Sequence, residues 1–282
     1  DLEQKSVIDE HTVFGIGSVT KSFTGVAIMQ LHEQGKLSVD DPVVKYLPEF
    51  KIGKDGAEKH MTIHHFLTHT ASIPPLPSLT RAMVRSMLED PEVRGGEQGE
   101  KLKSLPPIDT DLDLMKYIAE LDVKLFGFPG EYFSYSNDSY ALLGSIIERV
   151  SGLPYETYVV EHILKPLGMT RSLFTPSEII KMDNVATLYS SRKVNGKDQV
   201  FASPMWIESP AMSAAGFLKS TASDMLRYMD IFRTGGTCEG ARVLSQQSVD
   251  HMCSPFAQPI PGQFYGYGLM VHGNYRGVSL VE

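Results

Sequence analysis

The stretch Phe14-Gly15-Ile16-Gly17-Ser18-Val19-Thr20-Lys21 sets the reading of the whole chain. A glycine-flanked serine opens a helix here, and a lysine follows three residues on. Positions i and i+3 share a helix face, so Lys21 rises beside Ser18. A serine hydroxyl is a weak nucleophile until a neighbouring base takes its proton. A lysine amine can be that base where apolar surroundings or nearby cations lower its pKa. Phe23, Val26, Ala27, Ile28, Met29 and Leu31 leave the helix almost no wet face, which places it inside the protein. Its N-terminus directs partial positive charge and free N–H groups toward Ser18. Taken alone, S-x-x-K is more often a helix cap with a solvated lysine, so the weight falls on the remaining sequence.

The chain has 282 residues, 42% hydrophobic and 21% charged, with a formal net charge of -8. That is ordinary globular usage, enough for one large domain or two interleaved ones. Acidic and basic residues are mixed throughout without a basic stripe, which argues against nucleic acid as a partner. No run approaches the length of a membrane span, and no signal peptide is visible. Asp1 suggests a chain that begins mid-protein, so a periplasmic, secreted or cytoplasmic location all stay open. Cys238 and Cys253 form no Cys-x-x-Cys pair and read either as a bridge or as two free thiols.

Gly35 is expected to close the central helix near Gln34. His60, His64, His65 and His69 form two i, i+4 pairs. No H-E-x-x-H register and no Cys or Asp ligand set accompanies them, so they read as surface and packing residues, with no metal. Thr62 is the expected N-cap of a short helix there. Residues 73–110 change character: Ile73-Pro74-Pro75-Leu76-Pro77 breaks regular structure, Arg81–Glu89 reads as a helix, and Glu92–Lys103 is charged and glycine-bearing. An excursion this long is expected to be a lid or surface insert. Asp111 is expected to cap the next helix, with further helices over Tyr140–Val150, Tyr155–Leu164 and Ser245–Met252. Thr221 and Asp224 suit a capping box. Val185–Tyr189 and Gln199–Phe201 read as a hairpin across a type I′ turn at Asn195-Gly196. Tyr265–Val271 and Val278–Val281 read as paired strands across His272-Gly273-Asn274.

Tyr135-Ser136-Asn137 is the second site candidate. In an extended run, residues i and i+2 point one way, so Tyr135 and Asn137 face one cleft. A phenol beside an ammonium has a lowered pKa and can pass protons. An amide can hold both the lysine and a substrate carbonyl. Alone, the same three residues are a polar turn ahead of a helix.

Both motifs, with Gly35–Pro42, Leu67–Thr70, Phe128–Asn137, Leu142–Glu148, Pro166–Met169 and Ser220–Asp224 in order, resemble the serine β-lactamase and penicillin-binding-protein superfamily. The Tyr-Ser-Asn form is similar to its class C-like branch, with the related esterases and D-amino-acid peptidases, rather than to class A. The resemblance covers most of residues 1–282 as a single catalytic region. It implies an α+β fold of the β-lactamase/transpeptidase type, a helical region packed on an antiparallel sheet. It implies Ser18 as the acylated nucleophile and Lys21 as its proton partner. Tyr135 would be base and acid to the leaving group, and Asn137 would hydrogen-bond the substrate and Lys21. The Ser18 N–H would form half of an oxyanion hole. Whether Lys21 or Tyr135 deprotonates the serine stays open. No metal or organic cofactor is implied, and the partner is a small molecule or short peptide with an amide or ester to cleave.

Two departures stand out. The family's third motif, Lys- or His-x-Gly on an edge strand, is not found, since His272-Gly273 is adjacent and falls at an expected hairpin tip. The chain stops at Val281-Glu282, about where that strand should begin, and only 17 residues precede Ser18. It therefore reads as a fragment, with N- and C-terminal sheet strands missing. A lesser departure is Thr70-Ala71-Ser72-Ile73, where the family commonly has a glycine. A different class of function is a non-catalytic relative that binds a peptide or cell-wall fragment in the same cleft. Intact Ser18, Lys21, Tyr135 and Asn137 rank it below a serine hydrolase, and a metal hydrolase built on His60–His69 ranks lower still. The proline-rich start of the insert is more similar to peptidase and esterase relatives than to a dedicated β-lactamase.

Overall fold

Helices packed on an antiparallel sheet make up the molecule, an α+β arrangement, in a computed structural model that describes residues 5, 7–53, 56–194, 196–203 and 206–282. At its centre lies the helix Thr20–Glu33, buried from Thr20 to Leu31. Most of its polar side-chain atoms find partners inside the protein, as burial demands, although Gln30 Oε1 has none among the described residues. Thr24 donates to the Ala214 carbonyl, and Gln30 donates to the carbonyls of His162 and Val243. Gly35 closes it with φ +67°, while the Gly35 and Lys36 N–H groups return to the His32 and Leu31 carbonyls.

The helix Asn137–Ser151 packs along the central one, and a glycine allows its close approach to the short helix Ser213–Gly216. A Cβ on Gly144 would lie 2.7 Å from that of Ala214. Tyr155–Val159 runs on into a wider turn over Val160–Leu164, as the continuous helical pattern predicts. Thr62 caps Ile63–Leu67 in a reciprocal box with His65. At the helix Asp111–Glu120 the cap is Thr110, not Asp111, because the Thr110 hydroxyl reaches the Asp113 N–H and the Asp113 carboxylate returns to the Thr110 N–H. Thr221 accepts from the Asp224 N–H, but the Asp224 carboxylate is drawn off to the Arg171 N–H and the Ser172 hydroxyl, so that box is half made.

The main sheet is a meander of Ala257–Ile260, Gln263–Tyr265, Met270–Tyr275 and Val278–Val281, each strand paired antiparallel with the next. The strand expected over Tyr265–Val271 is interrupted, because Gly266–Leu269 turns back over the central helix. That contact requires Gly268: at φ +77°, a Cβ there would lie 2.7 Å from the Lys21 carbonyl oxygen. His272-Gly273 is also not a tip. Both residues lie within Met270–Tyr275, and the chain reverses at Arg276-Gly277, where φ is +53° and +89°.

A separate hairpin pairs Tyr189–Val194 with Lys197–Ala202, displaced toward the turn from its expected limits; Asn195, on which the type I′ expectation rests, lies outside the described residues. The segment 73–110 is largely helical, in short pieces over Ser78–Ala82, Val84–Glu89, Pro91–Gly95 and Glu97–Lys103. The helix expected over Arg81–Glu89 is broken at Met83. Cys238 and Cys253 are both free. Among the described residues no helix is long and apolar enough to cross a membrane.

Candidate active site

Ser18 sits in a tight turn, Gly17–Val19, that feeds the central helix. Gly17 holds φ +52°, a conformation that favours glycine, and lets the chain swing Ser18 to the surface. The turn is pinned from behind by Leu218–Ser220. Phe14 and Gly15 pair with Ser220 and Lys219, the Ile16 N–H donates to the Leu218 carbonyl, and the Leu218 N–H donates to the Thr20 hydroxyl.

One turn on, Lys21 points back beneath the serine and is fully buried. Its Nζ lies 3.2 Å from Ser18 Oγ, 2.8 Å from Asn137 Oδ1 and 2.6 Å from the Ala215 carbonyl oxygen. Burial alone brings its pKa from 10.5 down to about 7. The nitrogen also stands over the ring faces of Tyr135 and Tyr140, 4.7 Å and 5.4 Å from their centroids. Ser136 caps the helix that begins at Asn137, so Asn137 is its first residue and Tyr135 the last extended one before the cap.

All four residues singled out in the sequence therefore meet around one amine. The phenol behaves otherwise than its proximity to a lysine predicts. Burial raises the Tyr135 pKa above 10, and a hydrogen bond with Ser18 opposes this only in part. The amine faces the ring rather than the oxygen, so it offers the phenolate little support. Beside these groups opens a cleft of about 470 Å³, walled by Val19, Phe133, Ile260, Leu269 and Met270. A larger cavity of about 670 Å³, next to His60 and Phe128, is lined by none of the four.

The Ala215 carbonyl was not legible in the sequence, since a backbone acceptor carries no residue signature. The chain Ser213-Ala214-Ala215-Gly216 offers only its small side chains as a hint of close packing. The histidines divide by role: His65 completes the Thr62 cap, His64 and His251 meet the Tyr267 hydroxyl, and His69 is buried against Tyr135. Among the described residues no group of three or more His, Cys, Asp or Glu side chains is placed to hold a metal. Within Thr70–Ile73, Ser72 takes φ +58°, with its hydroxyl donating to the Phe128 carbonyl.

The sequence matches the family described as Beta-lactamase over residues 1–280. It is 30% identical over 270 residues to PbpX of Bacillus subtilis (strain 168), covering 92% of this chain and 56% of that protein. It is 32% identical over 174 residues to protein flp of Staphylococcus aureus (strain MW2), covering 62% of this chain and 30% of flp. The chain thus spans little more than half of PbpX and less than a third of flp. In three dimensions it resembles the octameric penicillin-binding protein homologue from Pyrococcus abyssi, with a TM-score of 0.81 and 34% identity over 99% of this chain and 58% of that one. A family match running almost end to end, on a shared helix-and-sheet frame, makes this chain a member of the beta-lactamase family.

Proposed function

We propose that this chain carries the catalytic site of a serine hydrolase that acylates Ser18 and cleaves a small amide or ester, in the manner of the class C-like branch. The observation that carries the reading is the set of partners around Lys21 Nζ. Asn137 Oδ1 and the Ala215 carbonyl can only accept, so a neutral amine spends its two N–H groups on them. Its lone pair is then left for the Ser18 hydroxyl, 3.2 Å away. With a pKa near 7, the amine is neutral in an appreciable fraction at physiological pH.

The steps follow from this arrangement. Ser18 Oγ attacks the substrate carbonyl as its proton passes to Lys21, and the Ser18 N–H at the helix start faces the developing oxyanion. Tyr135, with its pKa raised, stays protonated at neutral pH and is suited to relay a proton from Lys21 to the leaving group. Water then resolves the acyl-enzyme. The apolar cleft wall favours an uncharged acyl group, which suits a promiscuous peptidase or esterase better than a dedicated β-lactamase. The test is labelling of the full-length protein with a fluorophosphonate and with a fluorescent penicillin. Labelling is expected in the native protein and absent in Ser18→Ala. Labelling that survives Ser18→Ala, or a ligand bound in the cleft without any acylation, would overturn the reading.

A further inference from the structure

His69 stands just outside this set and is gripped more tightly than packing alone requires. It follows Ile63–Leu67 with φ +57°, a left-handed conformation uncommon for any residue but glycine, and is fully buried. Its carbonyl oxygen accepts the Ser134 N–H at 2.7 Å, and its ring Nδ1 accepts the Ser136 N–H at 3.1 Å. One residue thereby takes up the two backbone donors that flank Tyr135. Its imidazole also lies against the Tyr135 ring, 4.3 Å between centroids, with Tyr140 and Tyr265 at 5.0 Å and 4.9 Å.

We infer that His69 is a positioning residue for Tyr135 and Asn137, a neutral Nε2–H imidazole whose backbone and ring together fix the Tyr135 segment over Lys21. This deepens the acyl-transfer reading above and rests on it. The tautomer follows from the contact itself: a backbone N–H always donates, so Nδ1 carries no proton. Protonation would set two N–H groups against each other at Ser136 and add a cation near Lys21. Burial and the Lys21 charge both push the His69 pKa well below 6.5, in the same sense. The Nε2 atom is buried with no hydrogen-bond partner among the described residues. An orphaned donor and a left-handed backbone are both unfavourable, and such features concentrate where a site depends on them.

His69→Leu keeps the bulk and removes the ring acceptor. His69→Asn restores an acceptor near Nδ1 and tolerates positive φ. With a p-nitrophenyl ester and the full-length protein, His69→Leu is expected to lower kcat by about 10–100-fold, as displacement of a catalytic group by around an ångström does, with KM within about threefold. His69→Asn is expected to recover most of the loss. Ser18→Ala in the same assay separates the two ideas: retained activity there defeats the hydrolase reading, whereas an inactive Ser18→Ala beside a fully active His69→Leu defeats the role of His69 alone. Equal losses in both His69 variants would also overturn it. Should His69→Leu fail to fold, long-range ¹H–¹⁵N spectra of the native protein decide. An Nε2–H tautomer persisting to pH 5 is expected, and an Nδ1–H tautomer or a titration near 6.5 would refute the inference.

Discussion

Two lysines are buried close to the nucleophile, and they differ in what surrounds their charge. Lys21 is 0% exposed and Lys219 2%. Lys219 lies on the strand that backs the Ser18 turn, paired with Gly15, and donates to the Phe174 carbonyl. Burial lowers both, to about 7 for Lys21 and about 8 for Lys219. For Lys219 the carboxylates of Glu208 and Glu156 oppose the loss, whereas burial is the whole cause at Lys21. Burial alone therefore does not mark a reactive amine. What sets Lys21 apart is a ring of neutral acceptors that satisfies its N–H groups without holding on to its charge, with a hydroxyl at the remaining position.

The largest effect expected from this contrast is kinetic. Lys21→Met should lower kcat/KM for an ester substrate by about 10⁴–10⁶-fold, the scale seen when one member of a concerted catalytic set is removed. Lys219→Met should change it by less than about threefold. Steady-state kinetics on both variants, with thermal melts to establish folding, makes the comparison. Comparable losses from two folded variants would erase the distinction.

A sharper form of the comparison makes Lys21 resemble Lys219. Asn137→Asp places a carboxylate 2.8 Å from the amine, where Oδ1 now lies. An opposite charge at that range typically raises a lysine pKa by about 1–3 units. The native amine works when neutral, so kcat/KM should fall as pH drops through about 7. In Asn137→Asp that acid limb should move upward by at least one pH unit. A pH–rate profile that does not move would show that Lys21 is not the titrating base.

The same contrast marks what the sequence could reveal. Ser18 and Lys21 were readable because they lie one turn apart, where a tight turn runs straight into the central helix and the three-residue spacing brings them to one side. Tyr135 and Asn137 could be recognised as a motif, and the contact of Asn137 with Lys21 follows from the resemblance, but the expected lowering of the phenol pKa does not hold, because burial raises it and only a hydrogen bond with Ser18 opposes that. The Ala215 carbonyl and the grip of His69 on the Ser134 and Ser136 N–H groups arise from backbone brought together over long separations. The alternation of Tyr265, Tyr267, Leu269 and Val271 imitates a strand. The chain turns there instead, and brings Gly268 so close to the Lys21 carbonyl that a Cβ would clash with it.

That contact gives the next effect in size. Gly268→Ala must place a methyl group against the Lys21 backbone in a conformation that disfavours any side chain. A loss of about 2–4 kcal/mol in a denaturant titration is expected, the range of a backbone clash compounded by strain. Gly277→Ala, at φ +89° in an open hairpin turn where a Cβ meets nothing within 4 Å, isolates the conformational part and should lose about 1 kcal/mol. Equal losses would mean that the approach to Lys21 contributes nothing of its own.

The smallest effect concerns a carboxyl that sits next to a Lys21 partner in sequence without supporting the Lys21 charge. Asp138 follows Asn137 and is buried, with Oδ1 unpartnered among the described residues, and burial pushes its pKa from 3.8 up to about 6 despite a contact with Ser78. A group whose folded pKa exceeds its unfolded value binds its proton more tightly when folded. Its unfavourable ionisation is thus absent below about pH 4 and grows as pH rises through 6. Asp138→Asn removes the ionisation and should raise stability above pH 6 by about 1–3 kcal/mol, a few degrees in Tm, with little change at pH 4. The acid limb of kcat/KM should stay near 7, because burial is the whole cause of the Lys21 shift. A limb that moved with Asp138→Asn would mean that a carboxylate does hold the Lys21 charge, and the two lysines would then differ only in degree.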